Sequence, residues 1–244
     1  GQHMPKTLRT SAIRLAHADA AARPYILSTL TGSSVFKTAK VAGMNLVIEG
    51  RTAEDAAAFK TRFSAALKKT GAADFCKETG LCKGNLGLAR KDMPVIEGSK
   101  LKDFLGRLKN GVLDISAAMT RGFKAVKSWL TSGDGKSDKV QTKAKTFDPT
   151  KLKATQREIN ADKVNMFVAK YRAGTFDPRI GAVLVSNDGY ILDGHHRWAA
   201  MVVIAAEDGK KLGLEGYQVD LNVRALLAAS NAYTDAAGIT RKSF

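Results

Sequence analysis

Apolar residues recur every three or four positions along some stretches of the chain and at every second position along others, and this alternation divides it into elements. Ala56, Phe59, Phe63, Ala66 and Leu67 fall on one face of a 3.6-residue period and predict a helix. Thr52 supplies its N-cap, Glu54 and Asp55 its first-turn acids, and Gly71 its stop. Met44 to Ile48 predicts a short strand just before it. A second apolar stripe, Leu101, Phe104, Leu105, Leu108, Val112 and Leu113, predicts a helix from Lys100. A third, Ile115, Met119, Phe123, Val126, Trp129 and Leu130, predicts another after it. Between Cys76 and Gly98, glycines and a proline predict loops.

Beyond Thr146 the pattern changes. Asp148-Pro149, or Thr150, can start a short turn. Thr155 and Glu158 have the spacing of a capping box, which predicts a helix beginning there and running on over Asp162 to Tyr171, with Val164, Phe167 and Val168 inward and Gly174 as its stop. Ile180 to Val185 reads as a buried strand, Asn187-Asp188-Gly189 as a hairpin turn, and Tyr190 to Leu192 as a second strand. Arg197 to Glu207 reads as a helix with Trp198, Met201, Val202 and Ala205 on its apolar face. Tyr217 to Val223 alternates well enough to close a small mixed sheet, Arg224 to Ala229 returns to helix, and the last dozen residues look frayed. The fold class expected is therefore α/β (α+β): a small mixed-sheet domain over residues 146–244, preceded by a mainly helical region over 1–130 and a polar, Gly/Ser-rich linker over 131–145.

Charge sharpens this division. Residues 1–145 carry 26 Lys and Arg against 12 Asp and Glu, a net of +14, whereas residues 146–244 carry 13 against 11, a net of +2. Such asymmetry suggests a ligand or catalytic module joined to an electrostatic docking module, with nucleic acid ahead of an anionic membrane as partner. Lys100, Lys102, Arg107, Lys109, Arg121, Lys124 and Lys127 accompany the helical stripes, as a basic surface for DNA or simply as a wet face. Gly1 to Met4 looks like an expression scar. The Arg- and Ala-rich residues 5–30 read as a surface helix rather than a transit peptide. No apolar run is long enough to cross a bilayer and there is no secretory h-region, so the location expected is cytoplasmic, in a bacterium or phage-infected cell.

Several chemistries drop out. Cys76 and Cys82 lack zinc-site spacing and are expected as two reduced thiols. Gly133-x-Gly135-Lys136-Ser137 lacks the spacing and the preceding strand of a phosphate loop. Adjacent side chains such as His195 and His196 rarely converge on one zinc ion, so no metal ligands are assigned.

What remains is the run Asp193-Gly194-His195-His196-Arg197 at a strand-to-helix junction, where free backbone N–H groups and the helix dipole favour phosphate. Arg197 offers a planar fork of donors for a phosphate. His196 can add a donor or a proton near neutral pH. Asp193 can accept a proton from an attacking hydroxyl or water, or hold Mg²⁺ beside nucleotide oxygens. A His pair at a turn can equally be hydrogen-bonded structure.

The run resembles the box of the ParB/sulfiredoxin superfamily, whose members place Gly-x-[His/Arg]-Arg and an Ala-rich helix at this junction. Asp-Gly-His-His-Arg is similar to the form in free-serine kinases and in ParB-like domains of phage and mobile elements. Phe147-Asp148-Pro149, Leu152, Thr155-Gln156-Arg157-Glu158-Ile159 and Val164 also look like those phage domains, so the resemblance covers about Thr146 to Val223. It implies binding of a nucleotide, ATP or another, with Mg²⁺, through Gly194, His196, Arg197 and Gln156. It also implies catalytic roles for Asp193, His195, His196 and Glu158, with capping as the competing explanation of Glu158. His195 stands where sulfiredoxins carry their reactive cysteine, which argues against that chemistry.

Three functions follow. The first is a ParB-like nuclease or nucleotide hydrolase of a phage or mobile element that binds DNA through the basic N-terminal half. The second is a kinase transferring phosphoryl from ATP or ADP to a small hydroxyl substrate. The third is a non-catalytic, nucleotide-switched DNA-binding or virion protein. The short stretch after the box shows no helix-turn-helix, which argues against a partition role.

Overall fold

The computed structural model describes residues 37–41, 46–72, 86–96, 99–111, 139–175, 177 and 183–238. The third helical stripe, both cysteines, residues 1–36, the linker as far as residue 138 and the last six residues lie outside these. The elements are β1 (Lys37–Lys40), β2 (Val47–Gly50), α1 (Ala53–Lys69), α2 (Ser99–Asn110), β3 (Thr142–Phe147), β4 (Lys153–Ala154), β5 (Glu158–Asn160), α3 (Ala161–Arg172), β6 (Val183–Ser186), β7 (Tyr190–Asp193), α4 (His195–Asp208), β8 (Leu214–Val219) and α5 (Val223–Ala236). The fold is mixed α/β, with two mixed sheets.

The larger sheet has the order β3-β8-β6-β7-β4. β8 pairs antiparallel with β3 and parallel with β6; β7 pairs antiparallel with β6 and parallel with β4. Its side chains alternate between two cores, as strand geometry requires. Val183, Val185, Ile191 and Leu214 face α4, with α1 and α3 beyond it. Leu184, Tyr190, Leu192 and Val219 face α2 and α5 on the other side. The smaller sheet, β1-β2-β5, joins the two halves of the chain by a parallel pairing of β2 with β5, Ile48 opposite Ile159.

That pairing corrects the expected division. The N-terminal elements are not a separate helical unit: β2 and α1 share one core with α3 and α4, and α2 shares the other with α5. Part of the expected linker is strand β3, which starts at Thr142. It escapes pattern reading because Lys143, Ala144, Lys145 and Thr146 are all exposed, so β3 has no apolar alternation to detect.

α1 forms as its pattern dictates. Thr52 Oγ1 accepts from Asp55 N at 3.0 Å, and the five predicted apolar positions are its five buried ones. α4 is wider than predicted. All residues from Trp198 to Ala206 are buried, so it runs as a central helix rather than an amphipathic one. Trp198 lies edge-on to Phe63, with ring centroids 5.7 Å apart, and its Nε1–H donates to Pro149 O at 2.7 Å. On the opposite face, Tyr233 of α5 donates its hydroxyl to Asp103 of α2 at 2.7 Å. Burial and that carboxylate push the Tyr233 phenol up to about 12, and the same hydrogen bond holds the Asp103 carboxyl below its usual range.

Candidate functional site

The Asp193–Arg197 run is a tight strand-to-helix turn. β7 ends at Asp193, opposite Leu184 of β6, next to a register shift between Leu184 and Val185 of the kind that re-aims a neighbouring side chain. Gly194 follows at φ 99°, and a Cβ there would lie 2.4 Å from Val183 Cγ1. Glycine is therefore required both for its backbone conformation and for the close approach to β6. α4 then starts at His195, ahead of the start that its apolar pattern predicts.

The two imidazoles do not point outward from this turn. His195 is 2% exposed, and its Nε2 accepts from the backbone N–H groups of Thr155 at 3.0 Å and Gln156 at 3.1 Å. His196 Nε2 accepts from Asn160 N at 3.0 Å. An Nε2 that accepts N–H bonds carries no proton, so this geometry assigns the neutral tautomer to each ring, with hydrogen on Nδ1. Thr155, expected as a helix cap, donates its hydroxyl to Ile191 O at 2.6 Å. The helix begins later: Asn160 caps α3, its Oδ1 accepting from Lys163 N at 2.9 Å, and Glu158 lies in β5. The capping-box explanation of Glu158 is thereby removed.

Segment 155–160 is also held from its outer side. Leu88 pairs with Gln156 in parallel fashion: Leu88 N donates to Thr155 O at 2.8 Å, and Arg157 N to Leu88 O at 2.7 Å. Glu158 accepts from Arg90 N at 2.8 Å and from Arg157 Nη2 at 2.8 Å, while Gln156 Nε2 donates to Glu158 O at 2.6 Å. The Arg90 guanidinium forms an ion pair with Glu49 of β2, both side chains being only 9% exposed. Arg90 and Glu49 are the charged groups that pattern reading misses. Glu49 lies just beyond the strand Met44 to Ile48 that the pattern predicts, whereas β2 runs on through it to Gly50.

The structure thus brings Gln156, Glu158, His195 and His196 together around one backbone segment, with Asp193, Gly194 and Arg197 at the adjoining turn. Arg197 is partly exposed in the first turn of α4 and has no ion pair or side-chain hydrogen bond among the described residues. No group of three or more His, Cys, Asp and Glu able to hold a metal ion occurs among the described residues. Nor is any helix among them long and apolar enough to cross a membrane.

Comparison with protein-family models, with curated proteins and with solved structures gives no match.

Proposed function

We propose that this chain is a ParB-like protein of phage or mobile-element type that binds DNA and a nucleotide phosphate at the Asp193–Arg197 turn, acting as a nuclease or nucleotide hydrolase. The observation that carries the reading is Arg197: a partly exposed guanidinium without an ion pair among the described residues, placed in the helix turn whose N–H groups and dipole attract an anion. Asp193, one residue before the glycine, is the acceptor for the proton of an attacking water. Mg²⁺ characteristically binds through one or two carboxylates together with substrate phosphates. Asp193 fits that pattern as a single protein ligand, and the ion would supply charge neutralisation at the phosphate. In this reading His195 and His196 are positioning residues, because their Nε2 atoms already serve the backbone of residues 155–160.

The same engagement of both imidazoles favours a second reading, in which the turn binds a nucleotide without turning it over. Turnover of ATP, ADP and CTP with Mg²⁺, with and without DNA, separates the two. DNA-dependent turnover or strand cleavage in the wild type that disappears in Arg197→Ala and Asp193→Asn supports the enzyme. Nucleotide binding without turnover supports the switch. Turnover that needs a small hydroxyl acceptor and ignores DNA would replace both with the kinase.

A further inference from the structure

Ala228, Asn231 and Ala232 of α5 are three and four residues apart, on the side of the helix opposite Leu226, Ala229 and Tyr233, which belong to the core against the sheet and α2. They are 2%, 1% and 2% exposed, so this outer side of α5 is covered. Neither described core covers it, because Ala228 and Ala232 form a cluster by themselves. The side chain of Asn231 lies in the same place, and neither its Nδ2 nor its Oδ1 has a hydrogen-bond partner among the described residues. A buried amide is expensive to leave unpaired, so whatever covers this side brings a polar group along with apolar ones. Two alanines one turn apart leave room for the close approach of another helix.

The chain supplies a segment at the right place. α2 lies beside α5: the Phe104 and Tyr233 ring centroids are 5.1 Å apart, and the Tyr233 hydroxyl donates to Asp103 at 2.7 Å. Residues 112–138 leave from the end of α2 and return to it, since Gly111 N donates to Leu108 O at 3.3 Å and Val140 N to the same oxygen at 2.8 Å. Asp220 N donates to Gln141 O at 2.9 Å, which sets both ends of this segment next to the start of α5. Residues 1–36 lead into β1 and residues 73–85 leave α1, elements whose core is on the far side of the large sheet. Within residues 112–138, Ile115, Met119, Phe123, Val126 and Leu130 make one apolar stripe at helical spacing, and Arg121 and Lys124 fall opposite it. A helix over 115–130 would be ~24 Å long, against ~21 Å for the 14 residues of α5. Residues 131–138 then span at most ~28 Å, enough to return.

We infer that the Ala228–Asn231–Ala232 side of α5 is a docking surface for this chain's own residues 115–130, which lie along it with their apolar stripe inward. The segment is thereby the outermost layer on the α2 and α5 side of the sheet, and the residues after it are the return to β3. The inference is independent of the nucleic-acid reading above and of the Asp193–Arg197 turn. It gives the third apolar stripe of the sequence a surface to bury against, and Asn231 a neighbour.

The test is disulfide trapping in the full chain, with Cys76→Ser/Cys82→Ser as background. Ala232→Cys is combined in turn with Met119→Cys, Thr120→Cys, Phe123→Cys, Lys124→Cys and Leu15→Cys, and each double variant is oxidised as a monomer. A disulfide needs the two Cα atoms within about 7 Å. At least one of the first three is expected to close at least tenfold faster than Lys124→Cys, on the opposite side of the stripe. A second readout uses thiol protection. Ala232→Cys alone should react with a maleimide at least tenfold more slowly than the exposed Arg224→Cys. Phe123→Asp should abolish that protection and Lys124→Asp should keep it, while Ala200→Cys, in the other core, stays protected in both. Trapping by Leu15→Cys, trapping only between two copies, no trapping at all, or protection that Phe123→Asp leaves intact overturns the inference.

Discussion

The two ends of α4 are fixed by opposite means. At its N-terminus, neutral imidazoles accept backbone N–H groups from residues 155, 156 and 160, beside a buried Arg90–Glu49 pair. At its C-terminus, Glu207 accepts from Arg62 of α1 at 2.5 Å and from Arg172 of α3 at 2.7 Å, and Arg172 also meets Asp208 at 3.0 Å. This second network is about a third exposed, and hydrogen bonding to Arg62 holds the Glu207 carboxyl below its usual range. Bonds made out of contact with water are not screened by salt and are expensive to leave half-made, whereas exposed ion pairs are screened and individually weak. The end bearing the candidate site is therefore the one held mainly by contacts that salt does not weaken.

The largest effect should come from Arg90→Ala, which leaves Glu49 buried without its partner and is expected to lower stability by about 3–5 kcal/mol. Chemical denaturation would measure it, and a loss below ~1 kcal/mol would mean that water reaches the pair and the contrast is false. Next, His195→Ala strands the buried N–H groups of Thr155 and Gln156, an expected loss of about 1–3 kcal/mol that 1 M salt leaves unchanged. Glu207→Gln, at the other end, should lose about 1 kcal/mol or less, and most of that difference should disappear in 1 M salt. Its acid dependence has a definite sign: a carboxyl depressed in the folded state contributes stability above the ordinary Glu range, which is lost as pH falls through the depressed value. The smallest effect tests the opposite face of the sheet. The Tyr233 phenol is raised from 10.0 to about 12, so its contribution is complete below pH 10 and disappears as pH rises through about 12. Tyr233→Phe should flatten the stability profile in that window, and an unaltered alkaline profile would count against the buried hydroxyl.

Legibility in the sequence follows locality. Thr52 and the stripe of α1, the Asn187-Asp188-Gly189 turn and the strands beside it are readable because neighbours a few residues apart determine them. Thr155 misleads because its hydroxyl is taken by Ile191, 36 residues on, so a correct-looking capping box yields to a buried hydrogen bond. Pattern reading starts β8 too late, at Tyr217, whereas the strand begins at Leu214 and includes Gly216. In the sheet a Cβ there would lie 2.2 Å from Val183 O, so the glycine is what lets β8 lie against β6. At the candidate site, the five-residue run identifies the turn, but residue types alone do not tell that the imidazoles face inward to segment 155–160 while Arg197 stays partly exposed.

The parallel pairing of β2 with β5, and the bond from Arg62 to Glu207 across 145 residues, have a consequence for how the protein is made. Emerging from a ribosome, α1 can coil early, but Phe59 and Phe63 cannot complete their packing until Trp198 and the rest of α4 have been synthesised. Contacts this distant in sequence form late and leave apolar surface waiting meanwhile. A fragment ending before β5 should therefore not behave as a stable basic module, and should instead be recovered as a chaperone client or an aggregate.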